Sequence, residues 1–242
     1  HGGEGSTHGL TEGLAKTLGM AASTNSIREI RKADCLLVIG VDPTQTHPII
    51  KNEIHLALRR NRTQLIVLGS YDIGLTRATH ISPLLPPSIT LLDRPGMEVP
   101  ILNTMIQTIF KENLDNKGFV EEKTDGIKEL REKISSFQPE ASGVTEVNKN
   151  EAEKAARIFA QAKRAMILIG SGLWSHLNQK EIAMTSSNLA LITGHMGKES
   201  CGILILLEKC NDQGAVDMGL SSEGGGRWKE RSPTKGPGRE IK

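Results

Sequence analysis

The most chemically suggestive residues form a polar turn that directly follows a short apolar run. The run Cys35–Ile39 ends at Gly40, and the polar turn continues to His47. This order is typical of a buried parallel strand that leads into a helix, with Thr46 as the predicted N-cap of that helix. Free backbone N–H groups and the helix N-terminus favour an anionic phosphate at such a junction. The turn 40–47 is therefore the first candidate site for a nucleotide-like ligand.

A second turn of the same kind follows the apolar run Ala165–Ile169 and contains Gly170, Ser171 and Gly172. Neither turn contains G-x-G-x-x-G or G-x-x-x-x-G-K-[ST], so the patterns give no support for a standard nicotinamide site or a P-loop. Strand–glycine–helix junctions occur throughout α/β proteins, and most of them only reverse the chain. The two turns therefore indicate a ligand site only together with other signals.

Other reactive side chains give weaker alternatives. Ser6 and His8 could act as a nucleophile and its base, but no third partner can be identified for them. His47 could contact a ligand, but a capping or packing role fits its position before a proline equally well. His195 lies beside a turn without partners for a metal site, so we expect it at the surface.

Composition limits the class of protein. The chain has 242 residues, 37% of them hydrophobic, and a net charge of +2, so it can bury a full core but is not basic enough to predict nucleic acid as a partner. No apolar run approaches the roughly 20 residues that span a bilayer. The cysteines are too widely spread for a zinc or iron–sulfur site and are predicted to be reduced and buried: Cys35, Cys201 and Cys210. We therefore expect a cytoplasmic protein.

The order of the predicted elements indicates an α/β fold. The predicted strands are 35–39, 64–68, 165–169 and 203–207, and the predicted helices are 11–18, 26–32, 47–60, 98–112, 126–137, 150–162 and 179–193. Right-handed crossover makes the first two strands parallel neighbours. The sequence therefore predicts a three-layer αβα sandwich around a mostly parallel, Rossmann-like sheet. Residues 74–96 contain four prolines and are predicted to be irregular, with Ile81 in a short strand.

The predicted domain extends over residues 1–220. The remaining residues, 221–242, are rich in glycine and proline and carry six basic and three acidic side chains. Such a tail could touch nucleic acid, but its composition is more typical of a flexible solvated segment.

Several segments, taken in order, carry a family resemblance. They begin with Gly13-Leu14, continue through Val38-Ile39-Gly40 and His47-Pro48, and end with the block between Asn188 and Gly219. In this order and spacing the chain resembles the molybdopterin oxidoreductase family, particularly the catalytic subunits of formate dehydrogenases. The resemblance covers roughly residues 13 to 219.

The resemblance implies one central domain of a larger enzyme, similar to formate dehydrogenase. In the family this domain cradles molybdopterin guanine dinucleotide, the nucleotide arm of a molybdenum or tungsten cofactor. The implied partners are the remainder of the oxidoreductase subunit and iron–sulfur electron-transfer subunits. The implied cofactor-binding positions are Gly40, Asp42, Gln45, Thr46, Gly69, Ser171, Gly172, Asn211, Gln213 and Gly214.

Three positions depart from the family pattern. Gly69-Ser70-Tyr71 stands where the family commonly has Asp-Pro-Arg, and Ser6-Thr7 falls at the metal-ligating cysteine or selenocysteine. Leu207 falls at the active-site arginine, and an aliphatic side chain cannot stabilise a formate carboxylate. We therefore expect this chain to contain neither a catalytic nor a metal-ligating residue and to oxidise no formate alone.

Two other interpretations stay open. The chain could be a non-catalytic scaffold domain like that of the large subunit of the bacterial NADH–quinone oxidoreductase, which resembles this family. The segment 165–172 alone also resembles the central domain of thiamine-diphosphate enzymes, but that interpretation leaves the block 188–219 unexplained.

Overall fold

A parallel β-sheet forms the centre of the protein. The computed structural model describes residues 8–170, 178–207, 211, 214 and 239–240. The strands are β1 (Cys35–Ile39), β2 (Gln64–Gly69), β3 (Ile89–Leu92), β4 (Thr124–Asp125), β5 (Ala165–Gly170), β6 (Gly202–Leu206) and β7 (Arg239–Glu240). Five of them form one sheet in the order β3-β2-β1-β5-β6, and each neighbouring pair is parallel.

Helices cover both faces of this sheet. They are α1 (His8–Leu18), a 3₁₀ helix (Ile27–Lys32), α2 (Pro43–Thr46), α3 (Pro48–Asn61), α4 (Gly74–Ile81), α5 (Glu98–Lys111), α6 (Lys117–Lys123), α7 (Ile127–Ser135), α8 (Glu146–Gln161) and α9 (Gln179–Ile192). The 3₁₀ helix, α3 and α4 pack on one face, and α1, α5, α7, α8 and α9 pack on the other. The predicted three-layer αβα sandwich with a mostly parallel sheet is thus confirmed. Among the described residues, no helix has both the length and the apolar character that crossing a bilayer requires.

The strands contribute side chains to two separate cores. In β1, Leu36 and Val38 join the core under α3, whereas Leu37 and Ile39 join the core under α5 and α8. Every residue of β1 is buried. A strand that is covered on both faces must be apolar at every position, which explains why these strands read as continuous apolar runs.

The segment 74–96 differs from the prediction. Ile81 is the last residue of α4 rather than part of a strand, and β3 lies further on and pairs with β2. Pro83, Pro86 and Pro87 fall between these two elements, so they separate regular structure instead of preventing it.

The helix predicted over 26–32 is a 3₁₀ helix, and two residues of the predicted tail form a short strand. In the tail, Arg239–Glu240 pairs in parallel with Thr124–Asp125. The rest of 221–242 lies outside the described residues, so the boundary at 220 stays a prediction.

Hydroxyl groups cap the open edge of the sheet at β6. The Ile203 N–H donates to Thr24 Oγ1 at 2.8 Å, and the Ile205 N–H donates to Ser23 Oγ at 2.9 Å. The Thr24 N–H in turn donates to the Ile203 carbonyl at 2.8 Å. Because these groups occupy the edge, β6 is protected from pairing with another strand.

Glu29 ties this capping segment to the 3₁₀ helix and to the start of β6. Its carboxylate accepts hydrogen bonds from the Ser26 N–H and the Ser200 N–H, each at 2.8 Å, and from Asn25 Nδ2 at 2.7 Å. Burial alone would raise the pKa of Glu29, but the hydrogen bonds from Ser200, Ser26 and Asn25 lower that pKa from 4.5 to about 2.

This lowered pKa predicts an acid-sensitive contribution to stability. The stabilisation by Glu29 is fully present above pH 4.5, the unfolded value, and is lost as the pH falls toward 2. We expect Glu29→Gln to be less stable than the wild type near neutrality and to lose this difference at acid pH. Urea unfolding at a series of pH values measures this difference in the free energy of unfolding. Glu121→Gln, at an exposed position, is the control, and an equal pH dependence in both variants would contradict the assignment.

His195 is buried, so the surface position expected for it is wrong. It is 4% exposed, its Nε2 lies 2.8 Å from the Ala162 carbonyl oxygen, and its ring packs edge-on against Phe159. Burial lowers the pKa of His195. The predicted burial of Cys35 and Cys201 as free thiols is confirmed, whereas Cys210 lies outside the described residues.

Candidate functional site

The candidate site lies where the sheet changes its direction of growth. From β1 the chain adds β2 and β3 on one side, whereas β5 and β6 extend the sheet on the other side. Ile39 is in register with Ile169, so the carboxyl ends of β1 and β5 are neighbours. In open α/β sheets, ligands bind in the crevice at this switch point. The structure thus brings Gly40 and Gly170, the glycines at which the two predicted turns begin, to neighbouring strand ends.

Glycine is required at both strand ends, for different reasons. Gly40 has a φ of +67°, a left-handed conformation that suits glycine, and its N–H donates to the Leu68 carbonyl at 2.9 Å. At Gly170, any Cβ atom would collide with the side chain of Val41. The backbones that leave β1 and β5 therefore approach each other as closely as glycine allows.

Asp42 holds the first loop in shape from within. Its buried carboxylate accepts hydrogen bonds from the Thr44 N–H at 3.0 Å, from Thr44 Oγ1 at 2.6 Å and from Gln45 Nε2 at 2.9 Å. Asp42 is thus the N-cap of α2, and His47 occupies the N-cap position of α3, so the prediction of Thr46 as the N-cap is wrong.

Two prolines explain this difference. Pro43 and Pro48 each occupy the first helical position of a separate helix. α3 agrees with the predicted helix 47–60 within one residue, whereas α2 lies in the segment predicted to be a polar turn. Thr46 ends α2, and its hydroxyl lies 3.0 Å from the Asp42 carbonyl oxygen. The side chains of Gln45 and Thr46 are exposed, which leaves them accessible at the rim of the switch point.

Gly69 lies at the carboxyl end of β2, next to the first loop. Among the described residues, none has an atom within 4 Å of a Cβ added at Gly69, so this strand end leaves space for a side chain. Nearby, burial raises the pKa of Tyr71, and the negative charge of Asp42 adds to the effect. The neutral phenol is thus the form present near neutral pH, and it can donate or accept a hydrogen bond.

Sequence reasoning missed two polar residues at the switch point. Glu98 and Gln179, together with apolar side chains, line a cavity of about 10 Å³ beside Gly40 and Gly170. Both are buried, and Glu98 Oε2 accepts a hydrogen bond from the Gly96 N–H at 2.8 Å. A cavity of this size holds about one water molecule. This cavity is too small for a nucleotide.

A wider groove than this cavity lies elsewhere, along the edge strand β6. It has a volume of about 410 Å³, and its walls include His47, Ile50 and Leu207. The predicted family match aligns Leu207 with the arginine, and the groove around Leu207 is mainly apolar. Among the described residues, this lining contains no Lys or Arg.

The predicted cofactor-binding positions are only partly described. Gly40, Asp42, Gln45 and Thr46 share one loop, and Gly69 ends the neighbouring strand. Further along the chain, the Asn211 carboxamide fills the space where a Gly214 side chain would project. Three predicted positions, Ser171, Gly172 and Gln213, lie outside the described residues. The described part of the chain contains no group of three or more His, Cys, Asp or Glu residues that could hold a metal ion.

The parallel sheet, with Gly40 and Gly170 at its switch point, defines an open α/β domain. The model of the molybdopterin oxidoreductase family matches residues 7–239. The chain therefore belongs to the molybdopterin oxidoreductase family.

Curated relatives include two formate dehydrogenases. Formate dehydrogenase H of Escherichia coli is 34% identical over 208 residues, which are 86% of this chain and 28% of the relative. The alpha subunit of the F420-dependent formate dehydrogenase of Methanocaldococcus jannaschii is also 34% identical over 208 residues, which are 86% of this chain and 30% of the relative. The chain thus spans less than a third of the length of these relatives, and it is related to one domain of a formate dehydrogenase.

A solved structure also resembles this fold. Acetylene hydratase from Pelobacter acetylenicus superposes with a TM-score of 0.63 at 26% identity, over 81% of this chain and 25% of that chain. The names of these relatives include dehydrogenases and a hydratase, so the shared fold does not by itself specify the reaction. Family membership implies a molybdopterin cofactor.

Proposed function

We propose that this domain holds the guanine dinucleotide arm of a molybdenum or tungsten bis-pterin cofactor in an oxidoreductase similar to formate dehydrogenase. The observation that carries the proposal is the juxtaposition of Gly40 and Gly170 at the switch point of a parallel sheet. A diphosphate at this rim needs little net charge, because backbone N–H groups and hydroxyls can hold it.

The described residues suggest how the nucleotide would be held. The exposed side chains of Gln45 and Thr46 supply an amide and a hydroxyl at the rim. Gly69 leaves space beside them, and the Tyr71 phenol adds a neutral donor and acceptor. The buried carboxylate of Asp42 keeps the loop in shape, because it accepts four hydrogen bonds, three from within the loop and one from the Gly74 N–H.

The complete enzyme would use the metal–pterin group to take two electrons from formate and pass them to iron–sulfur subunits. This domain's own contribution is to bind and orient the nucleotide end of the cofactor. The rest of the oxidoreductase subunit would complete the enclosure.

One observation favours a second candidate function, a scaffold domain without pterin. Gln45 Nε2 donates a hydrogen bond to Asp42 Oδ2 within the loop, at 2.9 Å. A loop that satisfies its own polar groups can persist without a ligand. Metal and pterin analysis of protein made in its native host separates the two functions, because only the first predicts bound cofactor.

The proposal predicts that a side chain at Gly69 blocks nucleotide binding without harming the fold. The crevice is open there, so valine is tolerated, but its methyl groups occupy space next to the first loop. We expect guanosine diphosphate to bind the wild-type chain and to bind Gly69→Val at least tenfold more weakly, an effect of about 1.4 kcal/mol. Isothermal titration calorimetry measures both affinities, and thermal unfolding shows whether stability is unchanged.

Gly118→Val is the matched control, because a Cβ at Gly118 has its nearest contact at 4.0 Å and the residue lies on α6, away from the switch point. It should bind like the wild type. The proposed guanine site is wrong if the wild-type chain binds cytidine diphosphate as tightly as guanosine diphosphate. It is also wrong if the wild-type chain binds neither nucleotide.

A further inference from the structure

The imidazole of His47 connects the first loop to the exit of strand β6. Its Nε2 lies 2.9 Å from the Leu207 carbonyl oxygen, and its Nδ1 lies 2.7 Å from Thr46 Oγ1. The two partners are separated along the chain by most of the domain, and β5 lies between their strands in the sheet. His47 therefore joins two parts of the rim that the sheet itself does not hold together.

The two hydrogen-bond partners indicate which nitrogen of the His47 ring carries a proton. A carbonyl oxygen only accepts hydrogen bonds, so Nε2 must carry the proton that it donates to Leu207. In the neutral ring, Nδ1 is then an acceptor, and the Thr46 hydroxyl has one proton to donate either to Nδ1 or to the Asp42 carbonyl oxygen 3.0 Å away. The hydrogen bond from Nε2 to Leu207 is therefore the contact that orients the ring.

Capping does not explain this arrangement. His47 occupies the N-cap position of α3, but its side chain makes no hydrogen bond to the first turn of that helix. The ring is directed instead toward Leu207, which also lines the groove along β6. Leu207 precedes Asn211 and Gly214, two of the positions predicted to bind the cofactor.

We propose that His47 is a positioning residue that sets the separation between the first loop, residues 40–46, and the β6 exit at Leu207. The inference rests on the proposed function, since the first loop is one of the elements proposed to hold the nucleotide and the chain beyond Leu207 leads to Asn211 and Gly214, two predicted cofactor-binding positions. His47 itself touches no ligand. It acts by presetting the crevice, which reduces the ordering cost at the moment of binding.

Three substitutions in the full chain separate this role from a general effect on folding. Gln carries its amide nitrogen at the same number of bonds from Cα as His Nε2, so His47→Gln keeps a donor for Leu207. The carboxamide of Asn lies at the same number of bonds from Cα as His Nδ1. His47→Asn therefore keeps a polar group near Thr46 but loses the donor for Leu207. His47→Leu removes both contacts and keeps the packing volume.

We expect His47→Gln to bind guanosine diphosphate within about twofold of the wild type. The His47→Asn and His47→Leu variants should bind about tenfold more weakly, which corresponds to the loss of one hydrogen bond. Calorimetry gives the affinities, and ¹⁵N chemical shifts of the imidazole show whether Nε2 carries the proton in the wild type. Rescue by Gln but not by Asn is the result that a merely structural role would not produce.

Two outcomes would overturn the inference: equal weakening in all three variants, or binding by His47→Leu that matches the wild type. Failure of the wild-type chain to bind guanosine diphosphate is a different result, because it rejects the proposed function and the positioning role with it. If the ¹⁵N chemical shifts place the proton on Nδ1 alone, the hydrogen bond from His47 Nε2 to Leu207 is rejected. This result does not depend on any ligand.

Discussion

Replacing Gly170 with alanine is expected to destabilise the domain by about 2 kcal/mol, although only one methyl group is added. The new Cβ would overlap the side chain of Val41, with the two Cγ atoms at 2.8 and 2.9 Å. Because Val41 follows β1 directly, relief of the clash requires the exits of β1 and β5 to move apart. Urea unfolding monitored by circular dichroism measures the free energy of unfolding.

Gly69→Ala is the matched control, since Gly69 also ends a central strand but has free space around its added Cβ. Both substitutions reduce the entropy of the unfolded chain equally, so the difference between them isolates the clash. In the double variant with Val41→Gly, the cost of Gly170→Ala should largely disappear, which a double-mutant cycle detects. Equal stabilities of Gly170→Ala and Gly69→Ala would show that the two strand ends are not closely packed.

The buried strands could be predicted from the sequence because their composition is dictated locally. β1, β2 and β5 are short apolar runs that end at or next to a glycine, and the predicted bounds agree with the structure within one residue. β3 was missed because it has only four residues, includes Thr90 and exposes Leu92. An edge strand with polar and exposed positions lacks the continuous apolar signal.

The candidate site was predictable only in part. Its glycine turns stand out in the sequence, and Asp42 serves as an N-cap because Pro43, at the first helical position, follows it. Glu98 reaches the switch point only through the folding of α5 over the sheet. The Pro95-Gly96 turn before an acidic residue was the available signal.

His195 shows the limit of reasoning from local sequence. A histidine beside a turn predicts exposure, yet this ring lies between Phe159 and the Ala162 carbonyl. Both partners belong to the α8 region, more than thirty residues earlier in the chain. Burial of this kind depends on which elements pack together, and the sequence around residue 195 does not contain that information.

The second large effect is expected at Arg131, which neutralises a buried carboxylate. The Asp115 side chain is 2% exposed, and its Oδ2 accepts a hydrogen bond from Arg131 Nη2 at 2.7 Å. The guanidinium also lies 4.3 Å from the centre of the Phe110 ring. Arg131→Met keeps much of the packing but leaves the buried charge without a cation. We expect a loss of about 2 kcal/mol in urea unfolding, less than for a fully buried pair because Arg131 is 41% exposed.

A second substitution identifies the buried charge as the cause. Adding Asp115→Asn to Arg131→Met removes the unpaired carboxylate, so the double variant should recover most of the lost stability. The exposed pair Arg77–Asp72, at 3.3 Å, is the control, and Arg77→Met should change stability by less than about 0.5 kcal/mol. If the double variant is no more stable than Arg131→Met, the cost arises from lost contact with Phe110. The attachment of α7 to α5 would then depend on the cation–π contact rather than on the ion pair.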